Sequence, residues 1–179
     1  MNALDRLSAR LKATKETPIS RHKHSSPSGS RTQPYFDVAI SFAGEDRATA
    51  EALAHRFRDK SLRVFYDRFY QSELIGEDLA RLLAKIYRQA SRFCIVLISE
   101  HYPQKKWPKF ELSHAQDRAI FGTDSYIIPV RLDSTHVDGI SAVVGYIDLR
   151  QVPLDKAVEL IAEKIQQDRS GSPRLSEII

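Results

Sequence analysis

Cysteine is nearly absent from this 179-residue chain, which contains only Cys94, so a disulfide framework is excluded. Long apolar runs are also missing, because none approaches the roughly 18 residues that a membrane-spanning helix needs. The first residues carry charges throughout and have no apolar segment of the kind found in secretory signals. No cluster of His, Cys, Asp and Glu has the spacing of metal ligands. We therefore expect a cytoplasmic protein with no metal and no membrane partner.

The positive charge of the chain is concentrated in its first 33 residues. The whole chain has 27 basic and 23 acidic side chains, which give a formal net charge of +4. Residues 1–33 hold seven basic and two acidic side chains, a net charge of +5, and the remaining 20 basic and 21 acidic side chains give −1. The basicity belongs to an arm and not to a folded binding face, so we expect no nucleic-acid partner.

The composition divides the chain into an arm, a domain and a tail. Residues 18–33 are rich in Ser, Pro and basic side chains and have little to bury, which is typical of a flexible linker. Ahead of this linker, three leucines between residues 4 and 11 have helical spacing and indicate a short amphipathic helix. We predict a basic, largely flexible arm over residues 1–33, one domain over residues 34–166 and a loose tail over residues 167–179.

From residue 34 onward, strand and helix patterns alternate. Several strand segments are nearly continuous apolar runs, as expected where helices cover both faces of a parallel sheet. The predicted strands are Phe36–Phe42, Leu62–Tyr66, Phe93–Ser99, Tyr126–Leu132 and Tyr146–Leu149. The predicted helices are Arg47–Lys60, Asp78–Gln89, Pro108–Phe121 and Leu154–Ile165. This alternation predicts an α/β domain of three layers, a flavodoxin-like doubly wound fold with a five-stranded parallel sheet of order 2-1-3-4-5.

One aromatic side chain and one acid lie four residues apart just beyond the third predicted strand. Trp107 and Glu111 would share one face of a helix, so ring and carboxylate would line the same cleft. Clefts outside the carboxyl ends of strands are where open α/β sheets bind ligands. The alternative is a Trp that covers the core and a solvated Glu in the first turn of a helix. Spacing alone favours that alternative.

Taken together, these segments resemble a TIR (Toll/interleukin-1 receptor) domain of the form common in bacterial proteins. The stretch Phe36–Arg47 looks like box 1 of that family, and residues 64–67 followed by residues 74–76 look like its second strand and BB loop. The resemblance covers about residues 35–165. After the third strand, the family's pattern of Ser, aromatic, Trp and Glu is matched by Ser99, Tyr102, Trp107 and Glu111.

The resemblance implies one of two functions. Adaptor TIR domains act only through TIR–TIR assembly, whereas enzymatic ones cleave the bond between nicotinamide and ribose in NAD+ through a Glu that matches Glu111. Because the chain keeps this Glu and the preceding Trp107, we expect an NAD+ nucleosidase with Glu111 as its catalytic residue. Its products would be nicotinamide and ADP-ribose or a cyclic isomer, in a setting such as anti-phage defence or an effector. A non-enzymatic scaffold is the alternative.

Further substrate contacts are expected at the same edge of the sheet. The turn after the first strand leads into a helix N-terminus, where backbone N–H groups can bind phosphate and Arg47 can pair with it. Asp67 ends the second strand, where it either contacts a ribose hydroxyl or caps a turn. Glu45 and Asp46 are interpreted as acids of a helix N-terminus. The expected substrate-binding residues are Phe42, Ala43, Gly44, Arg47, Asp67 and Trp107, with NAD+ as substrate and no cofactor.

The loop Arg68–Glu77 combines aromatic side chains with Leu74, Ile75 and Gly76. Ordinary loop packing is one interpretation of this composition. The resemblance favours another, in which the loop is an assembly surface, since exposed apolar side chains indicate a partner. We therefore expect self-association, or association with other TIR domains, through Leu74, Ile75 and Gly76.

Overall fold

The computed structural model describes residues 34–103, 127–137 and 145–171, and these ranges contain a five-stranded parallel sheet. The strands are β1 (Phe36–Ser41), β2 (Val64–Phe65), β3 (Ser91–Ile98), β4 (Ile127–Arg131) and β5 (Ile147–Asp148). Their order in the sheet is β2-β1-β3-β4-β5, and every neighbouring pair is parallel. The predicted flavodoxin-like topology is confirmed.

The described helices follow the strands as a doubly wound sheet requires. They are α1 (Arg47–Asp59), α2 (Gln71–Leu74), α3 (Leu79–Lys85) and α4 (Leu154–Ser170). Short 3-10 turns precede α1 and α2 at Gly44–Asp46 and Asp67–Tyr70, and a π-helical turn, Ile86–Ala90, continues α3. The predicted helix Pro108–Phe121 lies outside the described residues. No helix within the described ranges is both long enough and apolar enough to cross a membrane.

Alternate residues of β3 pack on the two faces of the sheet. Phe93, Ile95 and Leu97 belong to the larger core cluster, which includes the apolar stripes of α1 and α4. The intervening residues, Cys94 and Val96 among them, pack with Tyr102 on the opposite face. Burial raises the pKa of the Cys94 thiol to about 12, so this lone cysteine is an unreactive core residue.

The opposite face of β1 and β2 is covered by α3 and its π-helical turn. Phe36 and Phe65 are fully buried there and pack with Leu82 and Ile86. Their rings meet edge to face with centroids 5.4 Å apart, an arrangement that suits the aromatic quadrupoles. Helices therefore lie on both faces of the sheet, and the three-layer prediction is confirmed.

Helix α4 is longer than its hydrophobic pattern indicates. The apolar stripe ends at Ile165, where the sequence predicts the end of the helix, but the helix runs to Ser170. Gly171 then ends it with φ of 66°, a left-handed conformation that favours glycine. Residues 167–170, expected in a loose tail, are therefore helical. Two ion pairs stabilise this last turn. Arg169 pairs with Asp37 of β1, and Asp168 pairs with Arg92 of β3.

Candidate functional site

The turn that follows β1 lies at the carboxyl edge of the sheet. Phe42 and Ala43 are buried, and the chain emerges at Gly44, which is exposed. The N–H of Asp46 donates to the carbonyl oxygen of Ala43 at 2.9 Å and closes a single 3-10 turn before α1 begins. Apart from its two chain neighbours, no described residue has a heavy atom within 4 Å of the position that a Cβ on Gly44 would occupy. Among the residues that the structure describes, none therefore blocks the approach of a ligand to the backbone at Gly44.

Arg47, the first residue of α1, is paired with Asp67 at the end of β2. Its two terminal nitrogens donate to the two carboxylate oxygens of Asp67 at 2.8 and 2.9 Å, which is a bidentate geometry. Hydrogen bonds from Arg47 to Asp67 raise the pKa of the guanidinium further above its usual range. Asp67 also accepts the backbone N–H of Arg68 at 2.8 Å. The structure thus shows Asp67 orienting Arg47 from the first position of the 3-10 turn Asp67–Tyr70.

Two aromatic rings complete the surroundings of the Arg47 guanidinium. Its carbon lies 5.0 Å from the ring centroid of Phe42 and 6.0 Å from that of Tyr66. The two rings are 5.7 Å apart, and the Tyr66 hydroxyl lies 3.5 Å from a guanidinium nitrogen. Stacking of this kind contributes about 0.5–2 kcal/mol for each contact, more when solvent is excluded. Tyr66 is fully buried and belongs to this site, although the sequence gives no signal for it beyond its position in a strand.

A carboxylate also connects the ends of β1 and β3. The hydroxyl of Ser99 donates to Asp46 Oδ2 at 2.6 Å. Asp46 occupies the N-cap position of α1, as its interpretation as a helix N-terminal acid requires, but its side chain makes no capping hydrogen bond. Nearby, the hydroxyls of Ser41 and Tyr102 are hydrogen-bonded at 2.9 Å in a buried position. Asp46 therefore lies at a helix N-terminus, as predicted, and its carboxylate has the additional role of holding another loop.

The ends of β3 and β4 are joined in the same way. Asp133 follows β4 and accepts the backbone N–H of Glu100 at 2.7 Å and that of Thr135 at 2.8 Å. Partial burial opposes ionisation of Asp133, but hydrogen bonds from Thr135 and Glu100 outweigh it and lower the pKa of this carboxyl. Asp67, Asp46 and Asp133 together join the carboxyl ends of β2, β1, β3 and β4.

The expected assembly loop is folded back on the domain. Leu74 is half-buried and packs against the cluster of Phe36 and Phe65, on which the ring of Tyr70 also lies. Ile75, the next residue, is 81% exposed. Gly76 has φ of 80°, where a side chain would be strained, and it turns the chain toward α3. Of the two apolar residues, only Ile75 is presented to solvent.

The structure brings together the predicted residues that it describes. Phe42, Ala43, Gly44, Arg47 and Asp67 lie at one edge of the sheet, in the turn after β1 and at the end of β2. Trp107 and Glu111 lie outside the described residues, so their positions stay predictions. Among the residues described, no three His, Cys, Asp or Glu side chains form a group that could hold a metal ion.

These features define a doubly wound α/β domain with a polar edge at the carboxyl ends of its strands. Comparison with known families gives the same class, because the family model of the TIR domain matches residues 38–162. The match covers more than two thirds of the 179 residues. The chain therefore belongs to the TIR domain family.

Two relatives of known activity are similar to this chain. A 3' cyclic ADP-D-ribose synthase of Aquimarina amphilecti, AaTIR, is 36% identical over 135 residues, which are 75% of this chain and 41% of the relative. The NAD(+) hydrolase PdTIR of Paracoccus denitrificans is 44% identical over 80 residues, 44% of this chain and 26% of the relative. The chain thus spans less than half the length of either protein.

A solved structure with a similar fold comes from an animal receptor. The TIR domain of the Toll-related receptor TRR-2 from Hydra magnipapillata superposes with a TM-score of 0.56 and 17% sequence identity. The superposition covers 74% of this chain and 97% of that domain. At this identity the likeness concerns the fold.

Proposed function

We propose that this protein cleaves the bond between nicotinamide and ribose in NAD+. The observation that carries the proposal is the 36% identity over 135 residues to a protein named as a cyclic ADP-ribose synthase. The similar protein from Paracoccus is named as an NAD+ hydrolase. Hydrolysis and cyclisation begin with the same bond cleavage and differ in the nucleophile that completes the reaction. We therefore propose nicotinamide release as the common step, with ADP-ribose or a cyclic isomer as the second product.

In this proposal, Glu111 is the catalytic residue. The nicotinamide of NAD+ is a cationic pyridinium, so it leaves as a neutral base with the electrons of the broken bond and needs no proton. The ribose carbon then develops the positive charge of an oxocarbenium-like state, which a carboxylate in a water-poor cleft stabilises. Water, or a nucleophilic atom of the substrate itself, adds to that carbon. One acid is sufficient for this chemistry, and no metal or further cofactor enters it.

We propose that the edge formed by residues 42–44, Arg47 and Asp67 contributes to substrate binding. The backbone at Gly44 is open, and Arg47 is a permanent cation whose orientation is fixed by Phe42, Tyr66 and Asp67. Two of the five guanidinium N–H donors point at Asp67 in the bidentate contact, and a third lies toward the Tyr66 hydroxyl at 3.5 Å. The remaining donors suit a diphosphate. Trp107 is proposed as the aromatic wall that stacks on the rings of NAD+.

We propose that the protein acts in the cytoplasm and that self-association activates it. The supporting observation is Ile75, an aliphatic side chain that is 81% exposed beside Gly76, whose φ is 80°. The free energy is lowered when a second TIR domain covers such a residue, and the preceding Leu74 packs on the core of the domain. The same exposure would serve a scaffold without enzymatic activity, which is the second candidate function.

Product analysis decides between these functions. Purified, concentrated protein is incubated with NAD+ in the presence of EDTA, and the products are separated and identified by mass. We expect nicotinamide together with ADP-ribose or an isomer of cyclic ADP-ribose, at a rate that EDTA leaves unchanged. Nicotinamide release that disappears with EDTA and returns with a divalent ion would contradict the metal-free mechanism. No release at any protein concentration would favour the scaffold.

A further inference from the structure

Ser99 lies where β3 ends and takes part in three hydrogen bonds. Its hydroxyl donates to Asp46 Oδ2 at 2.6 Å and accepts the backbone N–H of His101 at 3.2 Å. Its carbonyl oxygen accepts the N–H of Tyr102 at 3.0 Å. Residues 99–102 therefore form a tight turn, which we name the β3 turn, and Asp46 connects it to the loop after β1.

Two further contacts hold the β3 turn. The Tyr102 hydroxyl is hydrogen-bonded to Ser41 at 2.9 Å in a buried position, and the N–H of Glu100 donates to Asp133 at 2.7 Å. The turn is thus attached to β1 on one side and to the end of β4 on the other. Of these contacts, the two to the carboxylates of Asp46 and Asp133 are charge-assisted and short, so they are among the strongest.

We infer that Asp46 is a positioning residue for NAD+ cleavage and acts through Ser99. This inference rests on the function proposed above. Glu111 follows Ser99 by twelve residues in the sequence, and the β3 turn fixes the direction of the chain where it leaves the sheet. A displacement of about 1 Å at the reacting groups costs roughly 100-fold in rate, so a contact that fixes this direction affects turnover.

The β3 turn requires a hydrogen-bond acceptor at position 46, and in our inference the charge of Asp46 only strengthens that contact. Asn at this position keeps an oxygen that accepts from Ser99, whereas Ala removes the acceptor and leaves the Ser99 hydroxyl with one fewer partner. A purely electrostatic role would be lost in both variants. Comparison of Asp46→Asn with Asp46→Ala therefore separates positioning from charge.

The neighbouring acid provides a matched control. Glu45 lies in the same 3-10 turn, carries the same charge and is exposed, and it makes no hydrogen bond or ion pair with the residues that the structure describes. We expect Glu45→Ala to retain wild-type kcat and KM. This control accounts for any general effect of removing a negative charge from the turn.

The test measures kcat, KM and hydrogen exchange in the full chain. In Asp46→Ala we expect kcat to fall about 10- to 100-fold with little change in KM, and in Asp46→Asn most of the activity to return. Combining Asp46→Ala with Ser99→Ala should add little to either single change, because both remove the same contact. Amides of residues 100–102 should exchange faster in Asp46→Ala, whereas those of α4 should not change.

Each result decides a separate question. Faster exchange in the β3 turn of Asp46→Ala with wild-type kcat would overturn the positioning role, as would equal losses of kcat in the Asn and Ala variants. Unchanged exchange would show that Asp46 does not hold the turn, and would overturn the inference independently of activity. The wild-type protein could also be inactive while exchange in Asp46→Ala is faster. That result would contradict the proposed function, but it would still show that Asp46 holds the β3 turn.

Discussion

Arg169 and Asp37 are 132 residues apart in the chain and form an ion pair that joins the last helix to the first strand. The Asp37 side chain is fully buried, and Arg63 donates to both of its carboxylate oxygens, at 2.9 and 3.1 Å. The backbone N–H of Arg63 donates to the same carboxylate at 2.8 Å. Asp37 is therefore the point at which β1, the segment before β2 and the end of α4 are held together.

Replacing Asp37 should destabilise the domain. Asp37→Asn leaves two guanidinium groups without their buried counter-charge, and because both are partly solvated we expect a loss of about 2–3 kcal/mol. The melting temperature should fall by roughly 10 °C in a calorimetric scan. The control is Asp155→Asn, which removes a surface ion pair with Arg56 and should cost about 0–1 kcal/mol. Equal, small effects of the two substitutions would show that the buried network contributes little.

Acid should weaken the fold through two carboxyls with lowered pKa values. Burial opposes ionisation of Asp37, but hydrogen bonds from Arg63 and Arg169 lower its pKa, and hydrogen bonds from Arg150 lower that of Asp148 to about 2. The unfolded chain, with pKa values of about 3.9, then binds more protons than the folded chain at low pH. The stabilisation is present above about pH 4 and is lost as the pH falls toward the folded pKa values.

Urea unfolding at pH 6 and pH 3 measures this loss. We expect the midpoint of the wild-type protein to fall between these pH values, and the fall to be smaller in Asp148→Asn, which has no carboxyl to protonate at that position. The same fall in both proteins would show that Asp148 does not contribute to the acid sensitivity.

Glu111→Gln should keep the fold and lose NAD+ cleavage. The substitution preserves size and hydrogen bonding and removes the charge that we propose to stabilise the transition state, at a cost on the order of 100-fold or more in kcat. Glu163→Gln, an exposed residue on α4, is the matched control and should retain activity. A Glu111→Gln variant that releases nicotinamide at the wild-type rate would remove Glu111 from the mechanism.

The two apolar residues of the assembly loop should respond differently to a charge. Ile75→Asp changes an exposed side chain, so the melting temperature should stay within about 2 °C, while assembly and specific activity fall. Leu74→Asp places a charge against Phe36 and Phe65 and should cost roughly 1–3 kcal/mol of stability. Size-exclusion chromatography and activity measured over a range of concentrations test the first expectation. Unaltered oligomer size and activity in Ile75→Asp would exclude this loop as the interface.

Deleting residues 1–33 should leave the thermal stability of the domain nearly unchanged. Their composition provides little apolar surface to bury, and their net charge of +5 opposes compaction. Calorimetry of the shortened and full chains makes the comparison. A large drop in melting temperature would show that the leucines near residue 4 pack on the domain.

The sheet could be predicted from the sequence because its strands are apolar runs bounded by turn residues. Where the observed bounds of a helix or strand differ from the predicted ones, contacts between distant segments are responsible. Helix α4 continues beyond Ile165 because ion pairs stabilise its last turn. A hydrophobic pattern contains no information about such ion pairs. Strand β2 is shorter than its apolar run because only Val64 and Phe65 pair with β1, although Leu62 and Tyr66 are buried as well.

The candidate site could be predicted only in part. Arg47 begins a helix and Asp67 follows the end of a strand. Parallel strands bring such positions to one edge of the sheet, so the proximity of the two residues follows from the topology. The bond from Ser99 to Asp46 joins residues 53 positions apart and depends on the register between β1 and β3, which local patterns do not determine. Local patterns therefore predict only the position of Asp46 at the N-terminus of its own helix.

The two outermost strands of the sheet, β2 and β5, are only two residues long. A strand of this length exposes too few backbone N–H and C=O groups to guide the pairing of another chain, which is the step that begins fibril growth. A protein that we propose to be active when many copies crowd together is in this way protected against irreversible aggregation. Copies that meet through side chains such as Ile75 can separate again on dilution, so the assembled state can be switched off.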